Sequence, residues 1–360
     1  MNFILTWLPA TLVFILMLGI LVFVHEFGHF IAARIAGMKV EEFAFGFPPT
    51  LWSRKRKGTK YAINLFPIGG YVKILGEDEK NSNPDAFGNK SIRARIFVIV
   101  AGVAMNFILA FFATMVLFWA GLPPLVSMPE KYGGIVWEGS GGLYIESIEK
   151  GSLAEKYQFK TGDTIISVDG VKAPRVSDLR DQVAKNKGKK LAIELKRGSG
   201  TIKKEIEIGD NSLLGVGLIE KVFHVSYTWW KVPYYALLET GKTLWAAILA
   251  ITNFFKNLII SHAVPVDVVG PIGLFGITSV AVKLGFGYVL SLLILLTINL
   301  GIINILPFPA LDGGRLVFLV AEKIRGKKVA EHIEGIINLI GFWLLIILMI
   351  LVAVRDVMRL

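Results

Sequence analysis

Four stretches of this 360-residue chain are almost free of polar positions: Met1 to Val24, Ile96 to Pro129, Phe286 to Leu311 and Gly335 to Val354. Each holds the roughly 20 apolar residues that cross a bilayer core as a helix, so four transmembrane helices are predicted. Between the second and the third the pattern changes to period two. Gly142 to Ile148, Gly162 to Gly170 with its closing Asp-Gly turn, Leu191 to Leu195 and Ile202 to Ile208 read as strands, and Ser177 to Asn186 as a short helix. A small α+β module is expected there, inside a loop that runs from about residue 121 to 285. Phe43, Phe45 and Phe47 alternate, as do Tyr61, Ile63 and Leu65, on either side of the basic Trp52 to Gly58 segment. That predicts a β-hairpin dipping its apolar face into the membrane. From 226 to 262, Tyr227, Trp229 and Trp230 precede an apolar run interrupted by Glu239 and Lys242, which fits a helix lying at the membrane surface rather than a fifth span.

Composition agrees. The chain is 54% hydrophobic and 19% charged, with a mean hydropathy of +0.59, which excludes a soluble enzyme, a disordered chain and a collagen-like one. A secretory signal does not account for the N-terminus, because no basic segment precedes the apolar run. The absence of cysteine removes disulfides, thiolate nucleophiles and cysteine metal sites.

The formal charge of +11 is concentrated: twelve Lys or Arg lie from Arg34 to Arg95, and none in Met1 to Val24. A short basic loop beside a span marks the cytoplasmic face and touches anionic headgroups, so no nucleic-acid partner is expected. Both termini and the α+β module are then external, and the basic segment Arg315 to Lys328 falls on the cytoplasmic side. The implied organisation is a first helix in 1–36, a cytoplasmic basic loop with the hairpin in 37–93, a second helix in 94–120 and the external module in 121–225. An amphipathic interfacial region in 226–284, a third helix with its cytoplasmic segment in 285–333 and a fourth helix in 334–360 complete it.

Chemistry enters with His25-Glu26-Phe27-Gly28-His29. On a helix, residues four apart share a face, so both imidazoles can reach one ion while Glu26 approaches a water beside it. H-E-x-x-H is a zinc-metalloprotease signature. Three ionisable residues in a membrane helix are costly unless they bind something. Zinc needs a third protein ligand. His224, His262 and His332 read as solvated surface residues, which leaves an oxygen donor. Asn299-Leu-Gly-Ile-Ile-Asn304-Ile-Leu-Pro307-Phe-Pro309-Ala-Leu311-Asp312-Gly313-Gly314 ends the third span, with prolines that break the helix and glycines that let the backbone turn. His25 lies about 20 residues into one span and Asp312 about 26 into a parallel one, so the two share a depth and Asp312 is the best third ligand. Asn106, in Ala101-Gly102-Val-Ala-Met-Asn106, is read as close helix packing.

HEFGH in the first span, Asn-x4-Asn-x-x-Pro-x-Pro-x-Leu-Asp-Gly-Gly in the third and an inserted module between spans two and three together resemble the site-2 protease family of intramembrane zinc metalloproteases, of the bacterial regulator-of-sigma-E type. The module itself, over about 135 to 210, resembles a PDZ domain, which would bind an extended peptide by sheet addition. The resemblance implies an α-helical integral membrane protein of four transmembrane helices with a cytoplasmic membrane-associated β-hairpin or sheet and one inserted α+β PDZ-like domain, where members of this type often carry two. It implies Zn2+ on His25, His29 and Asp312, Glu26 as general base, and Asn299 and Asn304 near the active site. It also implies a place in the bacterial inner membrane and single-span transmembrane substrates, of the anti-sigma-factor type or remnant signal peptides. Gly69, Gly70 and Tyr71, in Pro67 to Lys73, offer either an edge for extended substrate or a simple amphipathic anchor, and Asn304 either a bond to the substrate backbone or helix packing. A metal or proton transporter stays open as a rival that predicts metal flux and tolerance of Glu26→Gln; the broken helix carrying Asp312 stands against another membrane zincin class, and the intact HEFGH and LDGG motifs against an inactive scaffold.

Overall fold

The computed structural model describes every residue except 1, 78, 80, 127–131, 137–141, 173–175, 199, 210–213, 222–224, 262–268 and 359–360. The chain divides into two units, Met1–Met115 with Ala236–Leu360, and Val116–Tyr235.

In the first unit, α1 (Asn2–Ile35) is a 34-residue apolar helix. It leads into β1 (Val40–Arg56) and β2 (Thr59–Ile74), followed by α2 (Ile92–Trp119). The expected hairpin is a fuller sheet. Thr50 to Arg56 runs antiparallel to Thr59 to Asn64, with Trp52 opposite Ile63 and Arg56 opposite Thr59. Glu42 to Phe45 runs parallel to Lys60 to Ile63, and Val40 to Phe47 runs antiparallel to Phe66 to Ile74. Each long strand therefore bends and pairs twice, which leaves the second half of β2 at one outer edge. Gly46, at φ 80°, makes the bend: a Cβ there would lie 2.5 Å from the Phe66 carbonyl oxygen. The sheet lies along α1, with Phe43 packed on Phe23, Phe27 and Phe30 and Phe45 reaching the surface of Gly19.

The second unit holds β3 (Ile135–Val136), β4 (Gly142–Ile148), α3 (Leu153–Lys156), β5 (Thr164–Val168), β6 (Val171–Lys172), α4 (Val176–Lys185), β7 (Lys190–Arg197), β8 (Gly200–Glu207), β9 (Val216–Lys221) and β10 (Val225–Ser226). Strands lie on the alternating segments that predicted them. An antiparallel sheet runs β8-β7-β5-β4-β9, with β6 on β5. Its inward positions, among them Leu143, Ile145, Ile165, Leu191, Ile193 and Leu195, are fully buried in one core. The alternation that makes these strands thus also makes their shared apolar face.

The chain returns to the first unit through α5 (Val232–Ser261), α6 (Pro271–Leu284), α7 (Phe286–Ile305), α8 (Asp312–Arg325) and α9 (Glu331–Val357). Among the described residues, four helical segments are long and apolar enough to cross a membrane: Leu8–Ile35, Ile92–Trp119, Phe286–Ile305 and His332–Val357. The third stops at Ile305 because Pro307 and Pro309 cannot continue it. Two elements lie inside segments not read as helices. One is α6, which packs Phe275 edge-on to Phe14 at 5.6 Å and whose first turn is capped from α9: the N–H groups of Gly270 and Gly273 donate to Asp356 at 3.1 and 2.8 Å. The other is α8, which starts at Asp312 itself. Leu319 of α8 joins Ala32, Ala33, Val40, Ile74, Val98 and Ile99 in a core that ties α1, α2, α8 and the sheet together. Beside it Arg95 makes a bidentate bond to Glu322 at 2.6 and 2.8 Å, both side chains largely buried.

Candidate metal centre

His25 and His29 lie one turn apart on α1, their rings edge to face, and turn the same ring atom toward Asp312. Nε2 of His25 is 3.0 Å from Asp312 Oδ2, Nε2 of His29 is 3.3 Å from that oxygen, and the two nitrogens are 3.2 Å apart. Asp312 reaches them because the chain breaks after α7. Leu306 to Leu311 fold into consecutive turns, and the two glycines that follow press on backbone: a Cβ on Gly313 would meet the Leu306 carbonyl oxygen at 2.1 Å, and one on Gly314 that of Phe308 at 2.4 Å. Any larger residue at either position would push Asp312 away from the histidines.

The donor set fits a tetrahedral ion. Zinc at about 2.05 Å from each ligand separates neighbouring donors by about 3.3 Å, and the triangle here has edges of 3.0, 3.2 and 3.3 Å. Asp312 Oδ2 is also buried, and both imidazole nitrogens converge on it, a donor set suited to a shared cation.

Helix α2 lines the other side. The Val98 carbonyl accepts from Nδ1 of His29 at 2.9 Å, and the fully buried Asn106 amide faces Nδ1 of His25 at 3.1 Å. Between them Gly102 leaves the space the rings occupy: a Cβ there would fall 2.3 Å from His29 Nε2. Positions 98, 102 and 106 are four apart, as are 25 and 29, so one face of α2 matches one face of α1. Sequence reasoning missed this fit and read Asn106 as packing; the repeated four-residue spacing was the available signal. From α7, the Asn304 amide nitrogen lies 3.2 Å from His25 Nε2. Asn299 is half-buried and, about 140° round the helix from Asn304, makes no hydrogen bond to this cluster among the described residues.

Glu26 points toward β2, where its carboxylate accepts the Val72 N–H at 3.1 Å. Tyr71, Val72 and Lys73 line, with His25, Glu26, His29 and Asp312, a cavity of about 420 Å³. Gly70 sits beside Glu26, 3.8 Å from its Cγ to a would-be Cβ. Gly69, at φ 106°, packs instead beneath the Phe47 ring. Arg315 and Glu77, an ion pair, also line this cavity. Of the other histidines, His332 is exposed, and His224 and His262 lie outside the described residues.

A metal-dependent hydrolase set into membrane helices is the class that this bundle and cluster define. Comparison with known proteins carries this further. Residues 13–348 match peptidase family M50. The chain is 36% identical over 347 residues to a protein named as a zinc metalloprotease in Clostridium acetobutylicum, covering 95% of this chain and 96% of that one. It is 31% identical to the regulator of sigma-E protease of Escherichia coli over 440 aligned positions, 96% of this chain and 98% of that protein. A protein named as a zinc metalloprotease in Helicobacter pylori is 32% identical over 376 residues, with 97% and 99% covered. The chain belongs to peptidase family M50 and is a multi-pass membrane zinc metalloprotease.

Proposed function

We propose that His25, His29 and Asp312 hold the zinc and that Glu26 is the general base for hydrolysis of a peptide bond within a transmembrane substrate. The observation that carries this is the triangle of donors, with edges of 3.0 to 3.3 Å, assembled from segments 283 residues apart (312 − 29). Zinc there supplies Lewis acidity, polarising the scissile carbonyl and making water nucleophilic near neutral pH. Glu26 takes the proton of the attacking water and returns it to the leaving amine, so that a carboxylic acid and an amine are formed. The Val72 N–H aims its carboxylate, and Asn304, beside His25, donates to the carbonyl oxygen as negative charge gathers on it.

A transmembrane helix hides each carbonyl in an i to i+4 bond, so the substrate must be drawn out before attack. The outer half of β2, Phe66 to Ile74, would present a sheet edge beside the metal cavity to an extended substrate, with Gly70 and Tyr71 on that stretch and Gly69 beside them. Phe45 meets α1 at Gly19, near the middle of the Leu8–Ile35 span, and Phe47, Leu51, Leu65 and Phe66 are exposed. Both features support a sheet embedded in the bilayer.

In the second unit, β9 is an outer strand, and between it and α4 runs a groove of about 600 Å³ lined by Val176, Leu179, Val183, Leu214, Val216 and Leu218. That supports a PDZ-like domain taking an extended peptide beside β9. The Escherichia coli alignment leaves about 94 of its positions without counterpart here (440 less 96% of 360), which agrees with a single such domain. That relative's name, regulator of sigma-E protease, supports anti-sigma-type single-span substrates, with remnant signal peptides as a second kind. The reading places the chain in a bacterial inner membrane, termini and PDZ-like domain outside, with the metal toward the cytoplasm.

The test is metal content and cleavage of a tagged single-span substrate in detergent. Wild type binds one zinc and cleaves, Glu26→Gln keeps zinc and loses about 10² to 10⁴ in rate, and Asp312→Ala loses the metal. Wild-type zinc affinity in Asp312→Ala, or wild-type cleavage by Glu26→Gln, overturns the assignment. Removing the PDZ-like domain relaxes selectivity while zinc-dependent hydrolysis persists; loss of all hydrolysis in a folded deletion contradicts the filter role.

A further inference from the structure

Building on the metal assignment just proposed, we infer that Asn106 is a positioning residue for the metal, its amide oxygen accepting the Nδ1 proton of His25. A histidine that ligates through Nε2 carries its proton on Nδ1, which is then a donor that needs an acceptor. For His29 that acceptor is in place, the Val98 carbonyl at 2.9 Å. For His25 the facing group is the Asn106 amide, whose Nδ2 stands 3.1 Å from Nδ1 and whose Oδ1 is buried with no hydrogen-bond partner among the described residues. The two ends of an amide exchange by a half-turn about its last torsion. That half-turn sets the orphaned oxygen against the Nδ1 proton and leaves the Nε2 lone pair aimed at Asp312.

The setting makes this more than packing. Asn106 is wholly buried, and a merely space-filling position in an apolar helix has no reason to bury an amide. Its backbone is pinned as well, since Thr297 of α7 donates to the Asn106 carbonyl at 3.1 Å. Held this way, the amide fixes both tautomer and ring plane of His25, whereas the backbone of the same helix face does so for His29.

The experiment measures zinc affinity by chelator competition, and the visible spectrum of the cobalt-substituted protein, in the full-length chain in detergent. Asn106→Leu, similar in shape without an acceptor, weakens zinc binding by about 10- to 100-fold and alters the cobalt bands. Asn106→Asp, whose carboxylate can only accept, stays within about threefold of wild type, in line with the carboxylate–histidine–zinc arrangement. Wild-type affinity in Asn106→Leu overturns the inference, and so does an Asn106→Asp protein that has lost zinc, since the amide would then act through its N–H₂. Should Asn106→Leu fail to fold, Asn106→Asp alone decides. Failure of the metal assignment looks different: His25→Ala or Asp312→Ala would then bind zinc as the wild type does.

Discussion

Replacing Gly102 by alanine should uncouple helix stability from metal binding. In an unobstructed helix, Gly→Ala gains up to about 1 kcal/mol. At Gly102 the new methyl would stand 2.3 Å from His29 Nε2, 2.5 Å from its Cε1 and 2.9 Å from His25 Cε1. Comfortable contact begins near about 3.5 Å, so the His29 ring has to retreat by roughly 1.2 Å. It has little room to do so, because its Nδ1 is tied to Val98 and its Nε2 faces Asp312. A shift of that size removes Nε2 from a triangle with edges of only 3.0 to 3.3 Å. Losing the orientation of a metal ligand costs about 10- to 100-fold in metal affinity, which corresponds to about 1.4 to 2.8 kcal/mol of zinc binding. Zinc affinity by chelator competition and the melting temperature of the metal-free protein give the two readouts. Gly335→Ala is the control, since nothing lies within 4 Å of its would-be Cβ, and it should leave zinc affinity unchanged. Unaltered zinc affinity in Gly102→Ala would refute the reasoning, because the rings would then be free to move without cost to the centre.

Three further outcomes follow from other parts of the chain. Val72→Pro removes the N–H that holds Glu26 on the outer side of β2, where a missing donor leaves the ladder intact; zinc content stays at the wild-type level while kcat falls by about tenfold or more. Glu322→Ala leaves the buried Arg95 guanidinium without its carboxylate, a loss of about 3 to 5 kcal/mol that thermal unfolding in detergent will detect. In the second unit, burial raises the pKa of Asp163, but two bonds from Arg197 at 2.7 Å and the Lys160 N–H outweigh it and hold the carboxyl below its ordinary value. A depressed folded pKa stabilises at every pH above the unfolded value of about 3.9 and is lost as pH falls through the folded one. Asp163→Asn should therefore cost about 2 kcal/mol at neutral pH, and the gap to wild type should shrink only below about pH 4; a gap that closes between pH 5 and 7 would point to another group.

What the sequence made legible were features stated by spacing alone. Long charge-free runs announced the four spans, and the i to i+4 interval of His25 and His29 announced a shared face. The two prolines before Asp312 announced a helix end, and it falls at Ile305. Features that depend on distant partners were not legible. Helix α6 is 14 residues long, too short to stand out as a span, and its cap is Asp356, which is 86 positions from Gly270. Alternation in Phe43 to Phe47 and Tyr61 to Leu65 told which side chains share a face, but not that each strand would bend and pair twice, because period two carries no information on partners. Asn106 looked like any polar residue among small ones; only the position of His25, 81 residues away, gives it a role.

The arrangement also joins two requirements that a protease working inside a membrane cannot meet separately. An extended substrate needs backbone partners to replace its helical bonds, and the base needs a fixed carboxylate. In the proposed mechanism both fall on one stretch of β2: Val72 directs its N–H away from Phe43, its ladder neighbour, and into Glu26, while Tyr71 and Lys73 border the same cavity. Glycine at position 70 is required for this closeness, since a Cβ would sit 2.8 Å from the Ala44 carbonyl oxygen and drive β2 off the sheet. If the proposed mechanism holds, substrate capture and base alignment both depend on this register, and a change that slips β2 by one residue should lose both at once.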